Sequence, residues 1–324
     1  MKANIEEIKE ISLKALQKAG LSRKNSETIL NECLYGELIG RKSHGLIYIP
    51  KAVEKAACAK NIWKIEKEDD AYALINANGN FGYLVGKFAM ELAVKKAKKK
   101  GISLVGMYNM HSYLMPGYYA KMASDKGMIG FVIDNSKSRV VPYGGTEPKL
   151  GPNPIGLSFP TKNIPFVMDM ATSVRGMGEV RLAEKLNDPL PKGMALDMAG
   201  EPTLDPKKVH ALRPMGGYKG YGLALGIEVL AGAFVRAKMG SKIKGGLDRG
   251  YLFIAIDPEI FVDIETFKEE VSELIKEIKA CKKANGVKEI LVPGEHAQRT
   301  IKESLKKGYL DVDENIIDDI QNLL

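Results

Sequence analysis

The sequence predicts an α/β protein, with an α+β arrangement as the close alternative. From about residue 72, short apolar runs rich in strand-forming residues alternate with stretches of helical periodicity. Both ends of the chain carry amphipathic helical patterns instead. We therefore expect one unit spanning 1–324, in which 71–259 form a sheet-containing lobe and 1–70 together with 260–324 form a helical lobe.

The N-terminal region is expected to contain two amphipathic helices, at about 4–19 and 23–39. Gly20 interrupts the apolar pattern between them. Gly40 lies just beyond the second pattern, where a glycine commonly ends a helix. The segment after Gly40 is therefore predicted to be a turn.

Strands and helices alternate through the rest of the chain. The strands are predicted at Tyr72–Ile75, Ile102–Met107, Met128–Ile133, Phe166–Met170, Tyr251–Ile256 and, near the C-terminus, Ile290–Val292. The helices are predicted at about 82–99, 117–126 and 219–237, and in a C-terminal stretch whose apolar face includes Phe267, Val271, Leu274, Ile275 and Ile278.

The composition, 45% apolar and 27% charged residues, is that of an ordinary globular protein. The net charge of +8 has its densest source in Lys95–Lys100, at the end of a predicted helix, where lysines favour the carbonyl end. No aromatic residues interleave with these lysines, and no nucleic-acid-binding signature occurs elsewhere. We therefore expect a small anionic ligand rather than nucleic acid as the partner.

The sequence predicts a cytoplasmic protein. No run of about 18 apolar residues predicts a membrane span, and the N-terminus lacks the pattern of a secretory signal. The three cysteines, Cys33, Cys58 and Cys281, are isolated and lack C-x-x-C spacing, as expected in a reducing compartment. No two histidines stand at helical i, i+4 spacing, so we expect no metal site.

Ser43-His44-Gly45 is the strongest candidate for chemistry, because the chain contains only four histidines. The motif follows the predicted stop at Gly40, so His44 is expected on a turn with a hydroxyl beside it and room for a ligand. A group that titrates near neutrality suits acid–base catalysis. The alternative is a surface histidine in a loop.

Two polar loops are candidates for cofactor binding, although no G-x-G-x-x-G pattern is present. In Gly216–Gly222, glycines and Lys219 precede an apolar helical pattern, an arrangement suited to an anion. Asp169–Ser173 follows the strand-like run Pro165–Met168, and its polar side chains could bind a ribose or a carboxamide. As alternatives, Gly216–Gly222 is a glycine-rich turn with a solvated lysine, and the polar residues of Asp169–Ser173 cap the turn that follows.

Seven motifs in one order resemble those of the type-2 malate/L-lactate dehydrogenase family, which is unrelated to the Rossmann-fold lactate and malate dehydrogenases. They are Ser43-His44-Gly45, NMHSYLMPGYYA at 109–120, VVPYGGTEPKLGPNPIG at 140–156, DMATS at 169–173, LPKGMALDMAGEPTLDP at 190–206, GGYKGYGLAL at 216–225 and PGE at 293–295.

The resemblance implies an oxidoreductase that uses NAD or NADP and transfers a hydride to or from C2 of a small 2-hydroxy or 2-oxo acid. Malate, lactate and sulfolactate are substrates of such enzymes. It also implies a family-specific α/β fold distinct from the Rossmann fold, and a homodimer with the site near the subunit interface.

Residue roles follow from the same resemblance. His44 would be the proton donor and acceptor at the substrate oxygen, and Ser43 or Glu179 would fix its tautomer. His111 would line the site for cofactor or substrate and is a further catalytic candidate. The cofactor-contacting positions would be Met170, Ala171, Thr172, Lys219, Gly220, Pro293, Gly294 and Glu295.

Three substrate-side positions depart from the family pattern. Tyr48 stands where many members carry an arginine that binds the substrate carboxylate, and Pro152, next to Asn153, replaces a threonine. Ser112 takes the place of a second histidine, with His111 one residue earlier. These changes predict a non-standard substrate. A reductase of a cyclic imino acid is one alternative, and a nucleotide-binding protein with altered catalysis is another.

Overall fold

A computed structural model describes residues 1–60, 62–163 and 166–324, and in these ranges it has ten α-helices and twelve strands. The predicted α/β class is confirmed. The helices are α1 (Ile5–Lys18), α2 (Arg23–Leu38), α3 (Ile49–Glu54), α4 (Gly82–Lys100), α5 (Pro116–Ser124), α6 (Met177–Leu186), α7 (Tyr218–Leu230), α8 (Ile264–Ala280), α9 (Glu295–Lys307) and α10 (Glu314–Gln321). The strands are β1 (Lys2–Asn4), β2 (Lys64–Glu68), β3 (Tyr72–Asn80), β4 (Ile102–Met110), β5 (Ile129–Asp134), β6 (Ile155–Phe159), β7 (Phe166–Met170), β8 (Ala195–Leu196), β9 (Pro202–Thr203), β10 (Ala211–Leu212), β11 (Gly250–Ile256) and β12 (Tyr309–Asp311).

The central sheet has seven strands in the order β2-β3-β4-β11-β5-β6-β7. Only β3 and β4 are parallel neighbours among these strands, and the remaining pairs are antiparallel. Strand β11 lies at the centre, with Phe253 opposite Val105 on one side and Val132 on the other. This order differs from the parallel doubly wound sheet of a Rossmann fold.

Helices cover both faces of the sheet because side chains alternate along each strand. On one face, α4 packs on β4 and β11, α5 packs on β5 and β6, and Phe253 and Tyr119 are fully buried there. On the other face, Leu252 and Ile133 pack against Ile227 of α7.

The two N-terminal helices form where the sequence predicts them, since side-chain caps fix their starts. Asn4 Oδ1 accepts hydrogen bonds from the Glu6 and Glu7 amides, and Ser22 Oγ accepts one from the Asn25 amide. The C-terminus returns to this region: β12 pairs with β1, and Ile320 of α10 is buried in the same cluster.

The strand predicted at Ile290–Val292 is wrong, because these residues form an extended loop that leads into α9. The Val292 amide donates to the Glu295 side chain instead of a neighbouring strand. The helix predicted over 219–237 is also too long, since α7 ends at Leu230 and a short 3-10 turn follows. Pro165, the start of one strand-like run, lies outside the described residues.

Within the described ranges, no helix combines the length and apolar character needed to cross a membrane.

Candidate active site

A cleft of about 850 Å³ collects side chains from distant parts of the sequence. Its lining includes residues between 41 and 55, from the end of α2 to the end of α3, the loop 111–116 that joins β4 to α5, residues between 169 and 181, from the end of β7 into α6, and Arg249 before β11. His44 and His111, which are far apart in the sequence, both line this cleft.

The position of His44 is fixed by close packing of its turn against α2. At Gly36, an added Cβ would lie 2.0 Å from the His44 carbonyl oxygen, so only glycine permits this approach. On the other side of the turn, the Glu37 carboxylate accepts a hydrogen bond from the Leu46 amide at 3.1 Å. The backbone of His44 is therefore held from both sides by a single turn of helix.

The His44 imidazole is half-buried rather than exposed as the turn predicts. Burial lowers its pKa from the ordinary value; the Asp169 carboxylate opposes this effect and the Arg41 guanidinium reinforces it. Ser43 Oγ lies 3.0 Å from His44 Nδ1, within hydrogen-bond distance, and the Tyr48 ring centroid is 6.4 Å from that of His44. At neutral pH this imidazole is thus mainly neutral and is oriented through Nδ1.

His111 follows the last residue of β4 and is also partly buried. Its Nε2 lies 3.5 Å from Cys58 Sγ. Burial lowers the pKa of His111, and the nearby Lys55 ammonium lowers it further. In both imidazoles of the cleft, burial thus lowers the pKa, and each imidazole has a neighbouring Ser or Cys side chain.

Arg41 ties the His44 turn to the end of β7. Its guanidinium donates to Asp169 Oδ1 at 2.7 Å and to the Asp169 carbonyl oxygen at 2.6 Å. The other carboxylate oxygen of Asp169 accepts from the Gly117 amide at 2.6 Å. No sequence motif identifies Arg41, because its partner Asp169 lies 128 positions away.

Arg249 is a second cation that the sequence analysis missed, since no motif surrounds it. It pairs with the buried Asp134 carboxylate and donates to Ser112 Oγ at 2.7 Å and to the Asn135 carbonyl oxygen at 2.7 Å. Tyr113 also donates to Asp134, at 2.8 Å. Ser112, where the family resemblance leads us to expect a histidine, thus accepts a hydrogen bond from Arg249.

Glu32 of α2 supports the loop that contains His111. One of its carboxylate oxygens accepts from the Leu114 and Met115 amides at 2.8 and 3.0 Å, and the other accepts from Tyr119 Oη at 2.5 Å. Burial raises the pKa of Glu32 to about 7, although these hydrogen bonds oppose the shift. A titratable carboxyl therefore lies beneath one wall of the cleft.

Several residues singled out from the sequence lie together at the cleft. They are Ser43, His44, Tyr48, His111, Pro152, Met170, Ala171 and Glu179. Glu179 lies in the first turn of α6, where its carboxylate is 3.6 Å from Arg175 Nε. Among the described residues, no group of three His, Cys, Asp or Glu side chains is arranged to hold a metal ion.

Other predicted residues lie behind or away from the cleft wall. Asn153 is fully buried and donates to Glu228 Oε2 and the Ala224 carbonyl oxygen. Thr172 is also buried, and its hydroxyl donates to the Pro152 carbonyl oxygen. Each therefore shapes the wall from behind.

The two cofactor-candidate turns that do not line the cleft differ in their surroundings. Lys219 is exposed near the start of α7, and Gly220 packs closely on the Met215 carbonyl oxygen, where a Cβ would lie 2.2 Å away. In Pro293-Gly294-Glu295, the Glu295 carboxylate is buried against Lys279 and Arg299. The ion pairs of Glu295 with Lys279 and Arg299 are typical of a structural ion cluster.

Comparisons with known proteins agree with this arrangement. The family model described as malate/L-lactate dehydrogenase matches residues 3–321. A malate/(S)-sulfolactate dehydrogenase of Methanothermus fervidus is 37% identical, over 98% of this chain and 96% of that protein. A Δ1-pyrroline-2-carboxylate/Δ1-piperideine-2-carboxylate reductase of Pseudomonas putida is 32% identical over 67% of this chain and 66% of that protein.

Among solved structures, sulfolactate dehydrogenase from Methanocaldococcus jannaschii superimposes with a TM-score of 0.91 at 36% identity, covering 100% of this chain and 96% of that one. The fold and the cleft therefore define an oxidoreductase that acts on CH–OH groups. The chain belongs to the malate/L-lactate dehydrogenase family, as its seven motifs predict.

Proposed function

We propose that this protein transfers a hydride between a nicotinamide coenzyme, NAD or NADP, and C2 of a small 2-hydroxy or 2-oxo acid of the malate, lactate or sulfolactate type. The observation that carries the proposal is the placement of His44, a neutral imidazole bonded at Nδ1, in a cationic cleft of sufficient size. The two dehydrogenases named above, from Methanothermus fervidus and Methanocaldococcus jannaschii, are named for malate and sulfolactate, which are 2-hydroxy acids of this kind.

The residues of the cleft fit a nicotinamide nucleotide. The volume of the cleft, about 850 Å³, falls in the range of about 300–1,000 Å³ expected for cofactor sites. Met170, Ala171 and Met215 offer apolar surface for a planar ring, and Arg175 and Arg181 offer charge for phosphates. When bound, the nicotinamide supplies or accepts the hydride. The family resemblance proposes further contacts to the coenzyme, from Thr172 and from the turns at Lys219-Gly220 and Pro293-Gly294-Glu295.

His44 would act as the acid–base group at the substrate oxygen. In the oxidation direction its neutral imidazole accepts the hydroxyl proton as the hydride leaves C2, and in the reduction direction the imidazolium returns that proton. Ser43, bonded at Nδ1, leaves Nε2 to face the substrate oxygen. We assign Glu179 and His111 to supporting positions at the cleft wall.

The substrate side of the cleft would be formed by Tyr48, Pro152 and the buried Asn153 behind it. The cleft wall carries six cations, Arg41, Lys51, Lys55, Arg175, Arg181 and Arg249, and three carboxylates, Asp134, Asp169 and Glu179. This excess of positive charge favours an anionic substrate.

We further propose that the protein is a cytoplasmic homodimer. Tyr218, Leu225, Val229 and Phe234, on and just after α7, are 63%, 43%, 49% and 59% exposed. Such a group of apolar side chains is unusual on a monomer and is typical of a subunit contact. Cys33, Cys58 and Cys281 are free thiols, as expected in a reducing compartment.

Reduction of a cyclic imino acid is the second candidate, and the similarity to the Pseudomonas putida reductase favours it. The same hydride would then reach a C=N carbon. The catalytically altered binding protein has no comparable support, since His44 and its neighbours are in place.

The test is a screen for coenzyme oxidation, followed by near-ultraviolet absorbance. The protein is given NADH or NADPH with 2-oxo acids, including oxaloacetate, pyruvate and sulfopyruvate, and with cyclic imino acids. Oxidation with a 2-oxo acid supports the proposal and identifies the coenzyme. Oxidation with imino acids alone supports the second candidate, and coenzyme binding without any turnover contradicts both.

A further inference from the structure

Lys51 of helix α3 and Lys55, the residue that follows this helix, face the cleft, and no sequence motif identifies them. Lys51 and Lys55 stand four residues apart, one helical turn, and both line the cavity. The ion pairs at the cleft wall involve Arg41, Arg175 and Arg249, each with its own carboxylate. Within the described ranges, neither lysine has a carboxylate at ion-pair distance, so both positive charges are available to a ligand.

Tyr48 holds Lys51 near the catalytic candidate. The Lys51 Nζ atom lies 4.8 Å from the Tyr48 ring centroid, a cation–π contact. The same ring centroid is 6.4 Å from that of His44. These two distances place Lys51 Nζ no more than about 11 Å from the His44 ring centroid. The aromatic side chain that replaces the family arginine therefore positions another cation three residues later.

Within this upper limit, a 2-oxo acid that carries a second anion can contact both residues at once. Two hydrogen bonds of about 2.8 Å, one at each end, and the four covalent bonds of about 1.2–1.5 Å from the C2 oxygen to an oxygen of the distal anion span roughly 11 Å at most. One end is the C2 oxygen at His44, and the other is the distal anion at Lys51. A monoanionic 2-oxo acid such as pyruvate lacks this second anion.

Two arginines of the cleft wall, Arg41 and Arg249, are less suited to the role. Arg41 already binds the Asp169 carboxylate and its backbone carbonyl oxygen. Arg249 is held by Asp134, Ser112 and the Asn135 carbonyl oxygen. Recruiting either arginine would require giving up charge-assisted hydrogen bonds, whereas Lys51 gives up only the contact with a ring.

We propose that Lys51, positioned by Tyr48 and reinforced by Lys55, binds the second anionic group, a carboxylate or sulfonate, of a dianionic 2-oxo acid. This inference rests on the proposed function and adds the residues that select the substrate. It assigns to Tyr48 an indirect role, since its ring holds the lysine rather than the substrate.

The test compares steady-state kinetics with dianionic substrates, oxaloacetate and sulfopyruvate, and a monoanionic one, pyruvate. For Lys51→Met we expect kcat/KM to fall about tenfold to a hundredfold for the dianions and to stay unchanged for pyruvate. Lys51→Arg keeps the charge and should retain most activity. Lys24→Met removes the same charge from an exposed site on α2 and should change nothing.

Three results would overturn the inference. Equal losses on dianions and pyruvate would place Lys51 at the carboxylate that both share. A rise in KM for the coenzyme alone would assign the lysine to a coenzyme phosphate. Unchanged kinetics in Lys51→Met would remove any role in binding.

A binding measurement separates this inference from the proposed function. Malonate, a non-reducible dianion, and acetate are titrated into the wild type and Lys51→Met by calorimetry. If the wild type reduces no 2-oxo acid, the proposed function fails. The Lys51 site still stands if malonate binds the wild type more tightly than the variant, and it falls if the two bind malonate equally.

Discussion

Replacement of Gly36 by alanine should damage catalysis far more than stability. An added Cβ would lie 2.0 Å from the His44 carbonyl oxygen and 2.7 Å from the His44 carbonyl carbon. An ordinary carbon–oxygen contact is about 3.3 Å, so the His44 backbone must retreat by roughly 1 Å. Misplacement of a catalytic group by about 1 Å can cost about 100-fold in rate. We therefore expect kcat/KM to fall about 100-fold in Gly36→Ala.

The stability cost of the same substitution should be modest. Overpacking of this kind costs about 1–3 kcal/mol, and the better helix propensity of alanine offsets up to about 1 kcal/mol of it. A protein with about 5–15 kcal/mol of stability stays folded after this loss. Urea unfolding checks the fold, and the coenzyme assay measures kcat/KM.

Gly245→Ala is the control, because it adds the same methyl group at an exposed, extended position outside α7 where nothing lies within 4 Å. This control should keep full activity. If Gly36→Ala is folded and as active as the wild type, the close packing of α2 does not position His44, and the reasoning is refuted.

Three further outcomes are expected. Since burial lowers the pKa of His44, kcat/KM for oxidation of the hydroxy acid should rise with pH to a plateau with its midpoint below 6.5, and a midpoint above 6.5 would argue against His44 as the base. Burial raises the pKa of Glu32 to about 7 from the ordinary 4.5, so the folded state holds this proton more tightly and the free energy of unfolding should fall by about 3 kcal/mol as pH rises through that interval. Glu32→Gln keeps an acceptor for the Leu114 and Met115 amides and should remove this fall, as urea titrations at pH 5 and pH 8 would show; an identical fall in both proteins would assign it to other groups. Leu225→Asp on the exposed face of α7 should convert the proposed dimer to monomers in light scattering, and an unchanged mass would place the subunit contact elsewhere.

Elements with strong local signals were predictable from the sequence. The helices expected at 4–19 and 23–39 are observed at Ile5–Lys18 and Arg23–Leu38, since their apolar periodicity and capping residues agree. Strand β2, Lys64–Glu68, was missed because it is a polar strand at the edge of the sheet. The apolar run Ile290–Val292 led to a wrong strand prediction, because periodicity cannot show that the Val292 amide donates a hydrogen bond to the Glu295 side chain.

The candidate site was predictable only where residues form a motif. His44 and the wall residues Met170 and Ala171 came from contiguous signatures, and all three line the cleft. Lys51 did not, because the sequence does not show that this residue of α3 lines the cleft. Arg41 did not either, because its partner Asp169 lies 128 positions away in the sequence. Long-range pairing of this kind leaves no local pattern in a single sequence.

The most direct test of the central claim is the His44→Ala variant, measured for both turnover and coenzyme binding. If His44 supplies and accepts the proton at the substrate oxygen, kcat/KM should fall about 100-fold to 10,000-fold while the coenzyme Kd, followed by fluorescence, stays unchanged. A variant that retains wild-type turnover would contradict the account. A variant that loses both turnover and coenzyme binding would also contradict the account, since His44 would then hold the cleft together rather than act on the substrate.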